Sequence, residues 1–380
     1  MVGRHWASLR RVCALAPFGK SLYASHAYAA LVIDGATVTR YTPGEDPPIR
    51  VAFDWNRRGQ PTKGGGGGQG FARLREIDGR LYLPDTDPPY AGFGLSGKGI
   101  EGYVFVSDAE GKFARPRLPK HLPPAPPTRE QAGAAVLPYA YHVFDVARFG
   151  DHIYASGGGY VPGGAAPGAL FLGTDDGSPW QPVATFPDPP DAHVWRLTYL
   201  VAFRQRLYAG VETFDDANDT DYVSFGLPAP GQHLTSGDAL PELQAFAGGA
   251  STLRWREDGK QLFWIAAHAG GVTLQHSEDG AHWTPIALPP EAGWPLDVIR
   301  YRGALVILTE HRLLQLRAGE LSELARVDSK RSPFELGDTY CPAPLAVFDG
   351  ELYAGGQQKG RLFRLVWPDA LAPASAAGAR

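Results

Sequence analysis

Apolar and polar positions along this chain fall into short runs, and one phrase of them recurs. It consists of an aromatic or apolar residue, a turn that usually contains Gly, and a short apolar strand. It reads Phe18-Gly19-Lys20-Ser21-Leu22-Tyr23 near the start and Phe348-Asp349-Gly350-Glu351-Leu352-Tyr353 near the end, with five more copies anchored at Leu81, Ile153, Leu207, Leu262 and Leu305. Each copy predicts a β-hairpin with a tight turn, Gly supplying the positive φ such turns need. Further strands are predicted after several copies, at 103–107, 169–173 and 272–276.

Four strands per unit is the blade of a β-propeller, so the pattern predicts an all-β propeller of seven blades, with six as the alternative count. The spacing between anchors runs from 43 to 72 residues, and the excess over a bare blade is assigned to loops. The last copy is followed by a single clear strand at 361–366. A segment near Trp6 to Arg11 is therefore expected to complete that blade, close the ring and remove an exposed edge. The propeller is predicted to span 1–367, with the Ala/Pro-rich residues 368–380 a flexible tail.

Composition narrows the classes. Gly 47 and Pro 34 exceed a fifth of the chain, yet apolar residues hold at 44% and aromatics at 11%, enough for a core and many turns. A formal net charge of -4 without a long Lys/Arg run argues against nucleic acid or an anionic membrane as partner. No apolar run approaches the about 18 residues of a membrane helix. Arg4, Arg10 and Arg11 before a short apolar stretch are faintly signal-like, but the first repeat copy begins at Phe18. Two cysteines, Cys13 and Cys341, make neither a disulfide framework nor a metal spacing. The repeat places them on the inner strands of the first and last blades, as neighbours. They are expected to be free thiols in a cytoplasmic, monomeric protein without cofactor.

Two segments, Ser277-Glu278-Asp279-Gly280-Ala281-His282-Trp283 and Thr174-Asp175-Asp176-Gly177-Ser178-Pro179-Trp180, share a spacing in which hydroxyl and carboxylate bond backbone amides while the aromatic plugs the blade. Ser107-Asp108-Ala109-Glu110-Gly111-Lys112-Phe113 is a degenerate third. These resemble the repeat of Asp-box (BNR-like) propellers, a superfamily with kelch-like relatives. The resemblance covers about three blades and implies structural turns on the side away from the ligand face.

Aligning the inner strands puts Arg73, Asp145, Tyr199, Arg254 and Asp297 at one equivalent position, facing the central tunnel. They are expected to form a polar ring, with Arg73 beside Asp145 and Arg254 beside Asp297, either as salt bridges between blades or as a ligand-binding belt. Three residues earlier come His142, Arg196 and Trp294, at the tunnel mouth, with His193 close by. Two histidines, an arginine and an indole suit an anionic or aromatic ligand. Metal ligation by His26, His268, Glu212 and Glu310 would require the loops to converge. Long connections at 84–102, 156–168 and 210–220, with 41–70 and 117–141 on the same face, place the binding surface beside blades two to four.

Other motif matches fail on context. Gly19-Lys20-Ser21 lacks the first Gly and the helix of a phosphate loop, the five glycines from Gly64 to Gly68 have no strand-to-helix setting, and no Gly-x-Ser-x-Gly elbow occurs. The leading reading is a non-catalytic propeller holding a small molecule, peptide or glycan. The alternatives are a sialidase-like glycosidase or lyase, for which Arg73, Arg196 and Arg254 would form the arginine trio, and a scaffold for protein partners. Against the sialidase reading, the family's Arg-Ile-Pro phrase is met only in reverse, by Pro48-Ile49-Arg50.

Overall fold

The computed structural model describes residues 11–27, 36–55, 70–86, 101–114, 129–138, 140–159, 168–186, 195–213, 220–243, 246, 248–327, 333–334, 336 and 340–366. Seven antiparallel sheets succeed one another in chain order and form a seven-bladed β-propeller. The inner strands of blades 1 to 7 are Arg11–Phe18, Arg75–Ile77, Ala140–Phe149, Trp195–Phe203, Ser251–Glu257, Pro295–Tyr301 and Leu345–Phe348. Blades 1 to 6 have four strands, and blade 7 has three among the described residues, ending in Leu362–Leu365.

All seven repeat phrases form the hairpin that joins the first and second strands of a blade. In Asp78-Gly79, Arg302-Gly303 and Asp349-Gly350 both turn residues have positive φ, the mirror-type turn whose twist matches its flanking strands. Among the described residues seven apolar clusters hold the blades together, one at each interface. Phe53, Trp55, Phe71 and Phe105 join blades 1 and 2, for example, and Tyr208, Tyr222, Trp255 and Trp264 join blades 4 and 5.

The seventh cluster closes the ring, packing Val12, Leu15 and Leu22 of blade 1 against Ala346, Phe348 and Tyr353 of blade 7. Val12 N–H donates to Gly356 O (3.0 Å), and Gln357 Nε2 donates to Val12 O (3.0 Å). Arg11 begins the inner strand of blade 1, and the rest of the segment expected to complete blade 7 lies outside the described residues, as does the expected tail.

The expectation of free thiols is corrected, because Cys13 and Cys341 form a disulfide with Cα atoms 4.5 Å apart. Its cause is local. The inner strand of blade 1 slips register between Val12 and Ala14, making Cys13 a bulge residue, and the lead-in to blade 7 passes beside it.

The same slip recurs around the ring. It makes Phe144, Leu253 and Leu296 the extra residue on blades 3, 5 and 6, and blade 4 slips between Leu197 and Leu200. A bulge takes its backbone groups out of the ladder, and those groups must bond elsewhere. This is how the propeller presents carbonyls to its axis.

Candidate functional site

The axis is built from two copies of one three-blade device. In the first, Arg75 of blade 2 forks onto Asp145 of blade 3 (Nε–Oδ1 2.8 Å, Nη2–Oδ2 2.5 Å). Asp145 also accepts the N–H of Leu200 on blade 4 (3.0 Å), and Arg75 donates to the Leu200 carbonyl (3.0 Å). In the second, Arg256 of blade 5 forks onto Asp297 of blade 6 (2.8 and 2.6 Å), and Leu345 of blade 7 donates to Asp297 (2.6 Å) and accepts from Arg256 (2.9 Å). An exposed pair repeats as well: Arg148 bonds the turn residue Asp78, and Arg300 bonds Asp258 (2.7 Å). Blade 2 is thereby tied to blades 3 and 4, and blade 5 to blades 6 and 7. Burial alone would raise the Asp297 carboxyl, but Arg254 and Arg256 hold it below the ordinary carboxylate value.

Arg254 lies beside Asp297 as expected, at 3.5 Å, but the forks onto the two carboxylates come from residues two further on, Arg75 in place of Arg73 and Arg256 in addition to Arg254. Side chains alternate along a strand, so Arg73 and Arg75 both face the tunnel, and the position with a fork within reach of Asp145 is the second. Arg73 is 3% exposed, donates to Ala72 O (3.0 Å) and, across the axis, to the bulge carbonyl of Leu253 (2.9 Å), and lies 3.5 Å over the Tyr199 ring. Arg254 bonds the carbonyls of Leu296 (3.1 Å) and Pro342 (2.7 Å) and touches the edge of Asp297 (3.5 Å). Burial lowers the pKa of both guanidiniums, that of Arg254 to about 9.

Above this belt lies the tunnel mouth. His142 Nδ1 bonds Thr86 O (2.9 Å), an acceptor only, so Nδ1 carries the proton and Nε2 accepts from Arg196 Nη2 (2.9 Å). Arg196 faces Glu212 across the first strand pair of blade 4 (N–O 3.6 Å) and donates to the Tyr340 hydroxyl (2.9 Å), which in turn donates to Glu212. Tyr340 belongs to the lead-in of blade 7, yet its ring packs on Phe144 of blade 3 (5.2 Å) and its carbonyl accepts from the Tyr199 hydroxyl of blade 4 (2.7 Å). It therefore reaches across the ring, anchored one residue later by Cys341. Burial, and next the Glu212 carboxylate, push the Tyr340 phenol well above its ordinary value.

Of the residues expected at the mouth, His142 and Arg196 are in contact, His193 lies outside the described residues, and Trp294 stands elsewhere. Trp294 is 43% exposed, covers Gly271 and lines a separate groove of about 360 Å³ with Val272, Leu274, Ile286 and Leu288. The arginine trio of the sialidase-like reading is divided, with Arg73 and Arg254 buried on the axis and Arg196 at the mouth. Among the described residues no three His, Cys, Asp or Glu side chains gather as a metal site. His26 bonds Thr39 (2.8 Å), His268 stacks on Phe246 (4.0 Å), and Glu310 caps the Trp294 and Leu336 amides.

The expected turn segments are hydrogen-bonded turns. Asp279 accepts from Ala281 and His282 (2.8 Å each) and Ser277 from Gly280 (2.8 Å), while Trp283 Nε1 donates to Tyr222 (2.8 Å). Asp108 and Asp176 accept backbone N–H groups in the same manner.

No family model matches the chain, and no curated protein matches it. Solved structures do resemble it. A streptogramin B lyase superposes with a TM-score of 0.54 at 9% identity, over 96% of this chain and 95% of the other. A catalytically inactive virginiamycin B lyase from Staphylococcus aureus, determined with quinupristin, gives 0.53 at 11% identity, over 95% and 97%. The extracellular domain of a putative hybrid two-component system from B. thetaiotaomicron gives 0.53 at 10% identity, over 96% of this chain and 39% of that one. At such identities the likeness establishes the propeller fold.

Proposed function

We propose that this protein is a ligand-binding propeller whose site is the tunnel mouth beside blades 3 and 4. The ligand is a small molecule, peptide or glycan that presents an anionic group. The observation that carries the reading is the convergence of His142, Arg196, Glu212 and Tyr340 from three distant stretches of chain. The Arg196 and Glu212 side chains are 12% and 21% exposed, low enough to be held in place and high enough to be reached. A pre-positioned guanidinium of this kind recognises carboxylate or phosphate in a planar fork. The Asp-box-like turns support membership of that propeller superfamily, and the buried disulfide favours an oxidising compartment over the cytoplasm.

A second reading, acid–base chemistry of lyase or glycosidase type, is favoured by one contact. Tyr340 hydroxyl and Glu212 carboxylate share a hydrogen bond, and the raised phenol stays protonated, as an acid does.

The test is a thermal-shift panel of small carboxylates, phosphate esters and acidic sugars on wild type and Arg196→Ala. A saturable rise with one class, lost in the variant, is expected. Equal responses of the two proteins to every compound would dispose of the site. Turnover of a bound compound, abolished in Tyr340→Phe, would establish the second reading in place of the first.

A further inference from the structure

Beneath the mouth the axial belt carries an excess of charge. Among the described residues, four arginines, Arg73, Arg75, Arg254 and Arg256, face two carboxylates, Asp145 and Asp297. Both carboxylates are saturated. Asp145 accepts from Arg75 twice and from the Val146 and Leu200 amides, and Asp297 accepts from Arg256 twice and from the Val298 and Leu345 amides. Four bonds is the usual capacity of a carboxylate. Arg73 is left to carbonyl dipoles and the face of the Tyr199 ring, and Arg254 to carbonyl dipoles and a 3.5 Å contact with the edge of Asp297.

These two cations are neighbours, because Arg73 donates to the carbonyl of Leu253, the residue before Arg254. Each is 3% exposed. Guanidinium groups do not shed their proton under ordinary conditions, and two buried like charges side by side are costly without a counter-charge. Donors remain to meet one: Arg73 Nε and Arg254 Nη1 make no hydrogen bond among the described residues. Burial lowers the pKa of both groups by more than Asp145 and Asp297 restore.

We propose that the propeller axis binds one small monovalent inorganic anion of halide type between the Arg73 and Arg254 guanidiniums. Its size follows from the walls. The Tyr199 ring lies on Arg73, the Tyr340 carbonyl binds the Tyr199 hydroxyl, and the Cys13 and Pro342 carbonyls sit on Arg254, so a bulky ligand at the mouth is kept from the belt. This site is separate from the mouth and does not depend on the function proposed for it.

The experiment uses the full chain at fixed ionic strength, replacing sodium gluconate by sodium chloride or bromide. Gluconate is too large for the belt. A saturable rise of roughly 2–5 °C in melting temperature is expected with either halide. Arg254→Met and Arg73→Met should fold, since each removes an excess cation, and should lose the halide response. Bromide in crystals of the wild type should give an anomalous peak between the two guanidiniums, a readout that needs no variant. Equal melting temperatures in gluconate and halide, an undiminished response in both variants, or bromide peaks confined to the surface would overturn the proposal.

Discussion

Asp297 shows how much can rest on one side chain. It is fully buried, forks with Arg256, and takes amides from its own strand and from blade 7. Asp297→Asn keeps the shape but leaves Arg254 and Arg256 without their carboxylate, and is expected to cost about 3 kcal/mol in urea unfolding. The more exposed Arg300–Asp258 pair should matter less, under about 1 kcal/mol. A pH dependence follows from the depressed Asp297 carboxyl. Its stabilisation is present above the ordinary carboxylate pKa and is lost as pH falls through the lower folded value. Urea midpoints of the wild type should therefore hold from pH 7 to about 5 and then drop. In Asp297→Asn the drop should be shallower, and parallel curves would refute the assignment.

Strands and turns were the most legible level in the sequence, because a hairpin announces itself locally through Gly, aromatic and alternating residues. The phrases at Leu22, Leu81 and Leu352 needed no distant information. The axial positions Arg73, Asp145, Arg254 and Asp297 were legible too, and Arg254 does adjoin Asp297, but the forks come from Arg75 and Arg256. Reach across blades depends on alternation and on the bulges at Phe144, Leu253 and Leu296, which leave no compositional mark. A signal was present all the same: Arg73-Leu74-Arg75-Glu76 matches Arg254-Trp255-Arg256-Glu257, and Asp145-Val146-Ala147-Arg148 matches Asp297-Val298-Ile299-Arg300.

The turns allow their own prediction. Gly280 has φ +79°, and an added Cβ would stand 1.8 Å from the Tyr208 hydroxyl. Gly280→Ala should cost more than about 2 kcal/mol, through left-handed strain and overpacking against blade 4. Gly303→Ala, with φ +76° in open space, separates the two causes, since strain alone should cost about 1 kcal/mol. Equal losses would leave no role for the Tyr208 contact.

At the scale of the molecule, ring closure and the mouth depend on contacts between residues far apart in sequence, which is why they were hard to read. Cys13 and Cys341 are 328 residues apart, and their pairing rests on a bulge and on the path of a lead-in that belongs to no repeat. Tyr340 and Glu212 entered the mouth by the same route. A tie between the two ends of the ring restrains the unfolded chain over nearly its whole length. Cys13→Ser with Cys341→Ser should thus lower stability by about 3–5 kcal/mol. Thiol titration of the denatured, unreduced wild type should find none, and two titrating thiols would contradict the closure described.

The central claim is that the mouth network is a binding site, and Arg196→Ala tests it when affinity and stability are measured on the same preparation. With an anion from the panel, the account expects affinity to weaken by about 1.5–3 kcal/mol, the worth of a charged hydrogen bond, with the urea midpoint little changed. A large loss of stability with unchanged affinity would contradict it.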